Sequence, residues 1–229
     1  MRWLAIDTSG GTTVGVVEAG DSGELLEHAV AVNPDARGHV EALGPMIQTV
    51  LAESGMRARD VDVVVVGTGP APFTGLRVGI ATAVAFARAG GCGVRGVCSL
   101  DAIALAADYD DDSALVVTTD ARRREVYWAA YEGGLGPADP GWRLQEPSVG
   151  APSDVLDWVA DHRSRVVGPG VAVHADLALP HSDPELAVTP LALVDVAATM
   201  LRSGSPTSVS PQYLRRPDIH VAAARKRAT

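Results

Sequence analysis

Two aspartates that follow short apolar runs are the first residues of this sequence that could do chemistry. Asp7 ends WLAID, and Asp120 ends ALVVTTD. Carboxylates bind Mg²⁺ together with substrate phosphates, and Thr8 adds a hydroxyl beside the first aspartate. The pair supports one hypothesis, a small phosphotransferase in which Asp7 and Asp120 hold Mg-ATP between two lobes.

A glycine-rich stretch, GTGPAPFTGLRVG at residues 67–79, has two interpretations. As a turn that enters a helix it could bind phosphate, because free amides and the helix dipole favour an anion there. It could equally be a sharp corner at which two backbones pack closely. The stretch lacks the lysine of a P-loop and the spacing GxGxxG. Pro72 also contributes no amide and favours an extended Ala71, so phosphate binding is the weaker interpretation.

The helix expected after this turn carries small residues at every fourth position: Gly75, Gly79, Ala83 and Ala87. Residues four apart lie on one face of a helix. The four therefore form a smooth strip, which a second helix could approach closely. Burial inside the chain and contact with another subunit would both use this strip, and the pattern leaves both open.

Other arrangements that carry chemistry are missing from the sequence. The six histidines form no HxxH, HxxxH or HExxH pair, so no metal centre is predicted. No GxSxG motif or Cys/His arrangement supplies a nucleophile. Cys92 and Cys98 are expected to be free thiols. Arg122–Arg124 is expected to be a solvated loop, with a phosphate or protein contact as the alternative.

The charge of the chain is acidic and unevenly distributed. Its 229 residues carry 19 basic and 28 acidic side chains, a net charge of −9. Residues 212–229 hold five cations and one aspartate, and subtracting this +4 from −9 leaves −13 for the remainder. A frayed terminus is expected, and contact with RNA phosphates is the alternative. The five cations are Arg215, Arg216, Arg225, Lys226 and Arg227.

Neither a membrane span nor a targeting segment is predicted. No apolar run reaches the roughly 18 residues that a transmembrane helix needs. The N-terminal apolar run is short and is interrupted by Asp7, so it lacks the length and flanks of a signal peptide. A cytoplasmic protein without membrane contact is therefore expected.

The apolar pattern of the first half predicts alternating strands and helices. A three-strand meander opens the chain, with a tight glycine turn at Gly10 and Gly11. An amphipathic helix follows from His39, and Val61–Val66 is typical of a strand buried on both faces. Ser99 is expected to cap a helix that runs to about Ala107.

The second half repeats the order of the first. The segment VVTTDARRREVYWAAY matches LAIDTSGGTTVGVV as strand, aspartate, short loop and strand. Further helices are predicted near Ser153–Asp161 and Leu191–Leu201. The chain is therefore predicted to be an α/β fold with two duplicated lobes. The proposed division is residues 1–110, residues 111–211 and the basic tail at 212–229.

Six segments resemble, in order, the TsaB (YeaZ) family of tRNA threonylcarbamoyladenosine biosynthesis proteins. They are AIDTS, HVEALGPMI, GPAPFTGLRVG, SLDAIALAA, TDARRREVYWAAY and SPQYLRRPD. The resemblance implies an actin-like, hexokinase-like (ASKHA) fold of two repeated α/β lobes. It also implies a non-catalytic role beside a catalytic relative, TsaD, and an ATPase, TsaE. Together these proteins attach threonylcarbamoyl to the adenosine next to the anticodon.

The resemblance also implies where chemistry is absent. TsaD holds its metal partly through a histidine pair, and the matching positions here are Ser99 and Ile103, which cannot replace imidazole ligands. The family motif GPGSFTGLR reads GPAPFTGLR, so Ala71 and Pro72 weaken a nucleotide role. No metal or resident cofactor is expected, and a nucleotide at the partner interface is left open. An older metallopeptidase hypothesis for the superfamily lacks its ligand pair.

Members of this family pair through helices of the first lobe, either with themselves or with TsaD. The resemblance therefore implies a scaffold that forms a homodimer or a TsaD complex through the helices at His39–Ser54 and Thr74–Arg88. The strip of small residues is the predicted contact. The interface residues are His39, Leu43, Met46, Ile47, Val50, Thr74, Gly75, Gly79, Ala83 and Ala87.

Overall fold

The computed structural model describes residues 1–35, 38–107 and 113–215. The strands are β1 (Arg2–Asp7), β2 (Thr12–Ala19), β3 (Leu25–Asn33), β4 (Val63–Gly67), β5 (Gly93–Val97), β6 (Ala114–Asp120), β7 (Val126–Glu132), β8 (Arg143–Gly150) and β9 (Ser164–Val167). The helices are α1 (His39–Glu53), α2 (Phe73–Gly90), α3 (Ser99–Ala106), α4 (Pro152–Asp161), α5 (Pro169–Val173) and α6 (Pro190–Ser203). Among the described helices, none has the length and apolar character needed to cross a bilayer.

The first sheet combines a meander with two parallel strands, in the order β3-β2-β1-β4-β5. β1 pairs antiparallel with β2 and parallel with β4, where Leu4 lies opposite Val64. Valines fill β4 because both faces of this central strand are covered by helices. Side chains of α1 and α2 pack on one face, and side chains of α6 pack on the other.

The second sheet repeats this arrangement in the order β8-β7-β6-β9. β6 pairs antiparallel with β7 and parallel with β9, as β1 pairs with β2 and β4. Asp7 and Asp120 are the last residues of β1 and β6, so they occupy equivalent places in the two sheets. The predicted duplication of strand, aspartate, loop and strand is confirmed.

Two helices tie the sheets together. α6 lies within residues 111–211, the predicted second lobe, yet it packs on the first sheet beside Trp3 and Val65. α3 precedes the second sheet but buries Ile103 against Val117 of β6. Each sheet is thus covered partly by a helix from the other half of the chain. The predicted boundary near residues 109–112 lies outside the described residues.

Two residue roles differ from those predicted, because a distant segment decides the contact. Gly10 and Gly11 do lie in the turn between β1 and β2, but neither has the positive φ for which glycine is usually chosen in a tight turn. Gly11 is required instead because a Cβ there would lie 2.7 Å from the carbonyl oxygen of Asn33 in β3. Ser99 does not cap α3, since Cys98 is the N-cap and no side chain caps it.

β8 was not predicted at all. Its sequence, RLQEPSVG, is half-exposed along most of its length, and β8 lies at the edge of the second sheet. Pro147 is tolerated there because an edge strand leaves some amides unpaired. Proline and several polar residues hide the alternating pattern by which strands are recognised.

Residues 208–215, here called the C-terminal strap, cross from the first sheet to the second. The amide of Gln212 donates to the carbonyl of Thr68 at 2.9 Å, just beyond the end of β4. Arg215 then donates to the carbonyl of Ala121 at 2.8 Å, in the turn after β6. The strap therefore links the glycine-rich turn to the second sheet.

Candidate functional site

A cleft of about 770 Å³ lies between the two sheets. The ends of β1 and β6 and the first residues of α1 and α2 line it. Ligands of α/β proteins commonly bind beyond the carboxyl ends of strands. Asp7, Thr8 and Asp120, the residues predicted to bind nucleotide, all line this cleft.

Asp7 is committed to hydrogen bonds within the chain. Its Oδ1 accepts the amide of Ser9 at 2.8 Å and the hydroxyl of Ser9 at 2.6 Å. Its Oδ2 accepts the hydroxyl of Ser99 at 2.7 Å. Burial raises the pKa of Asp7, while these hydrogen bonds act in the opposite direction. Both carboxylate oxygens therefore hold together the β1–β2 turn and the start of α3.

The glycine-rich turn makes room for this carboxylate. A Cβ at Gly67 would overlap Asp7 and lie 2.7 Å from Ser99 Oγ. The amide of Gly69 donates to Ser99 Oγ at 3.3 Å, and the amide of Thr68 donates to the carbonyl of Val97 in β5 at 2.7 Å. Two amides of the turn are thus used inside the chain, which supports close packing as the role of the motif.

The strip of small residues on α2 is buried inside the chain. Gly75, Gly79, Ala83 and Ala87 are all buried, and Thr8 lies against the two glycines. The Thr8 hydroxyl donates to the Gly75 carbonyl at 2.9 Å, and a Cβ at Gly79 would lie 3.2 Å from Thr8 Cγ2. The assignment of this strip to a subunit interface was therefore wrong. Small residues are needed because the β1–β2 turn packs directly on the helix.

The predicted interface residues of α1 also face inward for the most part. Three of them belong to the core of the first sheet: Leu43, Ile47 and Val50. His39 is buried, with its Nδ1 2.8 Å from the hydroxyl oxygen of Thr12. Of the predicted interface residues, only Thr74 is exposed, and Met46 is half-buried. The periodicity that selected these residues marks the face of a helix that packs on the core.

The exposed faces of α1 and α2 carry a different set of apolar residues. Val40 of α1 is 67% exposed. A groove of about 500 Å³ lies along α2 beside Pro211 of the C-terminal strap. The residues of α2 that line it are Arg77, Ile80, Ala81, Val84, Ala85 and Arg88. This groove, and not the buried strip, is the part of α2 that a second chain could reach.

Asp120 is also paired within the chain. Its Oδ1 accepts the amide of Arg122 at 2.7 Å, and its Oδ2 accepts the Arg122 guanidinium at 3.1 Å. Arg122, Arg123 and Arg124 have φ values of 63°, 55° and 64°, in the left-handed region that side chains disfavour. All three arginines are exposed, and Arg122 lines the cleft. The turn between β6 and β7 therefore exposes three cations, of which Arg122 lines the cleft.

Only one of the five cations assigned to RNA contact lies in the described residues. Arg215 donates to the Ala121 carbonyl and to the carboxylate of Glu125, so it fastens the C-terminal strap to the β6–β7 turn. The other four lie outside the described residues: Arg216, Arg225, Lys226 and Arg227. Their assignment stays a prediction.

A partly buried ion pair that joins α3 to the second sheet was missed by sequence analysis. Arg143 of β8 donates to both oxygens of Asp101, through Nε at 3.0 Å and through Nη2. The hydroxyl of Tyr131 donates to Asp101 Oδ1 at 2.9 Å. Burial raises the pKa of Asp101, and the charge of Arg143 opposes that shift. An aspartate in the first turn of a helix is expected in any case, so no feature of the sequence indicates this contact.

The two positions that match the histidine pair of TsaD are Ser99 and Ile103. Both are buried, Ser99 with its hydroxyl on Asp7 and Ile103 on the wall of the cleft. Within residues 1–35, 38–107 and 113–215, no three His, Cys, Asp or Glu side chains are grouped so as to hold a metal ion. The cleft is thus lined by hydrogen-bonding groups, and the carboxylates of Asp7 and Asp120 in it already accept hydrogen bonds from the chain itself.

Comparison with known proteins assigns these features to a family. The family described as TsaD, tRNA N6-adenosine threonylcarbamoyltransferase, matches residues 30–139. Uncharacterized protein Rv3421c of Mycobacterium tuberculosis is 42% identical over 94% of this chain and 92% of its own length. TsaB of Haemophilus influenzae is 29% identical over 93% of this chain and 92% of its own. This chain belongs to the TsaB (YeaZ) family.

The solved structures agree with the family and with the fold. YeaZ from Pseudomonas aeruginosa superimposes with a TM-score of 0.70 at 26% identity, covering 93% of this chain and 99% of that one. The actin-like, hexokinase-like α/β fold with two repeated lobes is therefore confirmed. The relatives differ in length. This chain spans 55% of protein ML0378 of Mycobacterium leprae, which is 43% identical.

Proposed function

We propose that this chain is a non-catalytic scaffold in the synthesis of threonylcarbamoyladenosine in tRNA. The names of its relatives support the pathway, since TsaB of Escherichia coli and of Haemophilus influenzae are tRNA threonylcarbamoyladenosine biosynthesis proteins. The proposed partners are a TsaD-like catalytic subunit and a TsaE-like ATPase, acting on tRNA in the cytoplasm. The chain would position its partners and leave the chemistry to them.

The observation that carries the scaffold role is the hydrogen bonding of the two strand-end aspartates. Asp7 uses one oxygen on Ser9 and the other on Ser99. Asp120 uses both of its oxygens on Arg122. These bonds hold each carboxylate in place and use part of its capacity to accept hydrogen bonds, so a cation or a substrate would compete with groups of the chain itself. The equivalent chemistry is therefore expected in the partner.

The exposed groove on α2 is the proposed docking surface for that partner. Its floor is apolar, from Ile80 to Ala85, and Arg77 and Arg88 stand at its two ends. An apolar surface bounded by cations fits a partner helix with an apolar face and acidic flanks. The helix α2 is the one predicted from the resemblance, but the contact residues are those of its exposed face. A second copy of this chain could occupy the same groove when the partner is absent.

A pair of arginine substitutions tests the groove. Ala85 in α2 and Ala160 in α4 are both exposed helical alanines, and arginine is a good helix former. Ala85→Arg should abolish co-purification with the TsaD-like subunit, whereas Ala160→Arg should leave it intact. Retention of the complex by a folded Ala85→Arg variant would contradict docking in the groove.

Depletion of the protein in cells tests the pathway. Mass spectrometry of digested tRNA should then show loss of threonylcarbamoyladenosine, with other modified nucleosides unchanged as the internal control. Re-expression of the chain should restore the nucleoside. Undiminished threonylcarbamoyladenosine after depletion would refute the proposed pathway.

The phosphotransferase hypothesis remains as a second candidate, because the cleft collects Asp7, Thr8 and Asp120. Isothermal calorimetry with Mg-ATP separates the proposals. Binding to the chain alone would support a phosphotransferase. Binding only after the TsaD-like subunit is added would support a nucleotide at the interface of the scaffold complex. We expect no binding to the chain alone, because its carboxylates are occupied.

A further inference from the structure

We propose that the C-terminal strap forms one wall of the docking groove on α2, and that the second lobe holds this wall in place through Arg215. The inference rests on the function proposed above and deepens it, because it names residues that shape the docking surface. Arg215 acts as a positioning residue, since it does not itself line the groove. Association with the TsaD-like subunit would therefore depend on both lobes of this chain.

The strap makes the exposed face of α2 concave. An isolated helix is a convex cylinder, so a groove along it needs a second segment beside it. Pro211 of the strap lines the groove together with residues of α2 such as Ile80 and Val84. Val209 of the strap packs against the core of the first sheet, as Ile80 does. The ring of Pro211 also fixes its own φ, which limits the motion of this wall.

Two residues fasten the strap to the first lobe. The amide of Gln212 donates to the carbonyl of Thr68 at 2.9 Å, and Gln212 Nε2 donates to Thr68 Oγ1 at 3.3 Å. The Nε of Arg77 in α2 donates to the hydroxyl of Tyr213 at 2.9 Å. Pro211 is therefore followed directly by two contacts, one just beyond β4 and one on α2.

Tyr213 also positions one of the two cations of the groove. The guanidinium of Arg77 lies 3.5 Å from the centroid of the Phe73 ring, where the ring quadrupole attracts a cation. The Tyr213 ring packs on the same Phe73 ring, with centroids 4.6 Å apart. The strap thus holds both Arg77 and the ring on which Arg77 rests. The charge that a partner meets at this end of the groove depends on the strap.

Arg215 fastens the strap to the second lobe. Its Nη1 donates to the carbonyl of Ala121 at 2.8 Å, and its Nη2 donates to the carboxylate of Glu125. A planar guanidinium that donates to two acceptors has a fixed orientation. The Arg215 side chain is 27% exposed, so solvent screens this pair less than it screens a fully exposed pair. The β6–β7 turn therefore holds the strap firmly.

Covalent spacing joins the two sets of contacts. One residue, Leu214, separates Tyr213 from Arg215, so their Cα atoms lie at most about 7 Å apart. Without the contacts of Arg215, the first lobe alone would hold residues 208–215. A segment held from one side only opens more often. A partner would then have to order the wall of the groove as it binds, which weakens association.

Calorimetric titration of the full chain with the TsaD-like subunit tests the proposal. Arg215→Ala should weaken association about tenfold, because the partner must order the strap itself. Arg215→Lys should recover part of the affinity, since it keeps a cation beside Glu125. The control is Arg202→Ala in α6, which removes the same charge and a hydrogen bond to Thr199 at 2.8 Å. It should bind like the parent, because α6 covers the other face of the first sheet.

A second substitution shows whether the effect passes along the strap. Tyr213→Phe removes the hydroxyl that accepts from Arg77 and keeps the ring on Phe73. Alone it should weaken association about threefold, as expected for one lost hydrogen bond. Combined with Arg215→Ala it should add little, because both changes release the same wall. Independent effects would multiply to about thirtyfold, and that result would overturn the proposal.

Hydrogen exchange of the chain alone supplies a measurement that needs no partner. Arg215→Ala should speed exchange of the Gln212 amide, which donates to Thr68, and leave the amides of β1 unchanged. Weaker association without faster exchange would overturn the proposal, because Arg215 would then act on the partner directly. Faster exchange with unchanged association would also overturn it and make the strap a simple tie between the lobes. Failure of the parent to bind the TsaD-like subunit would refute the scaffold, and the groove with it.

Discussion

Replacing Gly79 by alanine should destabilise this protein, although the same change stabilises most helices. Gly79 lies inside α2, where alanine normally gains about 1 kcal/mol over glycine. Here the added Cβ would lie 3.2 Å from Thr8 Cγ2 and 3.3 Å from Thr8 Cβ, and it would overlap Thr8 Oγ1. Thr8 is itself buried, so it has little space into which it can move.

Two losses oppose the gain in helix propensity. Inserting a methyl into a well-packed contact costs about 1–3 kcal/mol. Moving Thr8 also breaks the hydrogen bond from its hydroxyl to the Gly75 carbonyl, which contributes about 1 kcal/mol. The net expectation is a loss of about 2 kcal/mol in the free energy of unfolding. At this chain length that corresponds to a fall of roughly 4–8 °C in melting temperature.

The assay is urea denaturation followed by circular dichroism, with Gly90→Ala as the matched control. Gly90 is the last residue of the same helix, and a Cβ there would meet only Cys92 Sγ at 3.8 Å and the Ala58 carbonyl oxygen at 3.9 Å. These are ordinary contact distances, so the control should be neutral or slightly stabilised. If Gly79→Ala lowers the free energy of unfolding and Gly90→Ala does not, then packing, and not helix propensity, decides the effect.

A double variant identifies Thr8 as the group responsible. Thr8→Ala removes the hydroxyl and the methyl that the new Cβ would meet. In that background Gly79→Ala should be far less harmful, which gives a coupling of about 1–2 kcal/mol between the two positions. Strictly additive effects, or a Gly79→Ala protein as stable as the control, would refute the account of α2 as a helix packed on the β1–β2 turn.

Three further outcomes follow from the buried contacts. Asp101→Asn should lower the free energy of unfolding by about 2 kcal/mol, because it removes the buried carboxylate that accepts from the guanidinium of Arg143 and leaves, among the described residues, only the exposed Glu146 paired with it. Urea denaturation measures this loss. Burial raises the pKa of Asp7 above its usual 3.8, so its stabilising contribution is present below pH 3.8 and is lost as pH rises through the folded-state pKa. The free energy of unfolding of the parent, relative to that of Asp7→Asn, should therefore fall as pH rises from 3.8 through that pKa. A rise over this interval would contradict the direction of the shift. Gly96→Ala should loosen the C-terminal strap, because a Cβ would lie 2.7 Å from the carbonyl carbon of Ser208, and limited proteolysis should then cleave the strap before the rest of the chain.

The parts of the fold that could be predicted are those in which a residue type follows from local geometry. A strand covered on both faces must be apolar at every position, so the valines before Gly67 identified β4. A helix on the core repeats apolar residues at three and four, so α1 was recognised from Leu43, Ile47 and Val50. The repeated strand and aspartate likewise identified β1 and β6 as equivalent.

The incorrect predictions concern the tertiary contacts of a residue, which the periodicity of a sequence does not specify. Small residues on α2 predict a close approach, but the approaching group is Thr8, some 67 positions earlier. Ser99 has the right type and place for a helix cap, yet its hydroxyl serves Asp7 across 92 positions. Asp101 finds its cation in a strand that was not predicted. Each of these contacts depends on tertiary structure alone.

The duplicated aspartates show why a shared cleft need not be an active site. In both lobes the strand-end aspartate accepts the amide two residues later, from Ser9 in one and from Arg122 in the other. This is the hydrogen bond by which aspartate forms a turn, and it accounts for the repeated residue without any metal.

The remaining oxygen of each aspartate is occupied differently in the two lobes. In the first lobe it is bonded by Ser99, at the position where the resemblance to TsaD would have placed a metal-binding histidine. In the second lobe it is bonded by the guanidinium of Arg122. The cleft between the two lobes is therefore lined by two aspartates whose oxygens are already hydrogen-bonded inside the chain. That arrangement suits a subunit whose surfaces, and not its cleft, carry the function.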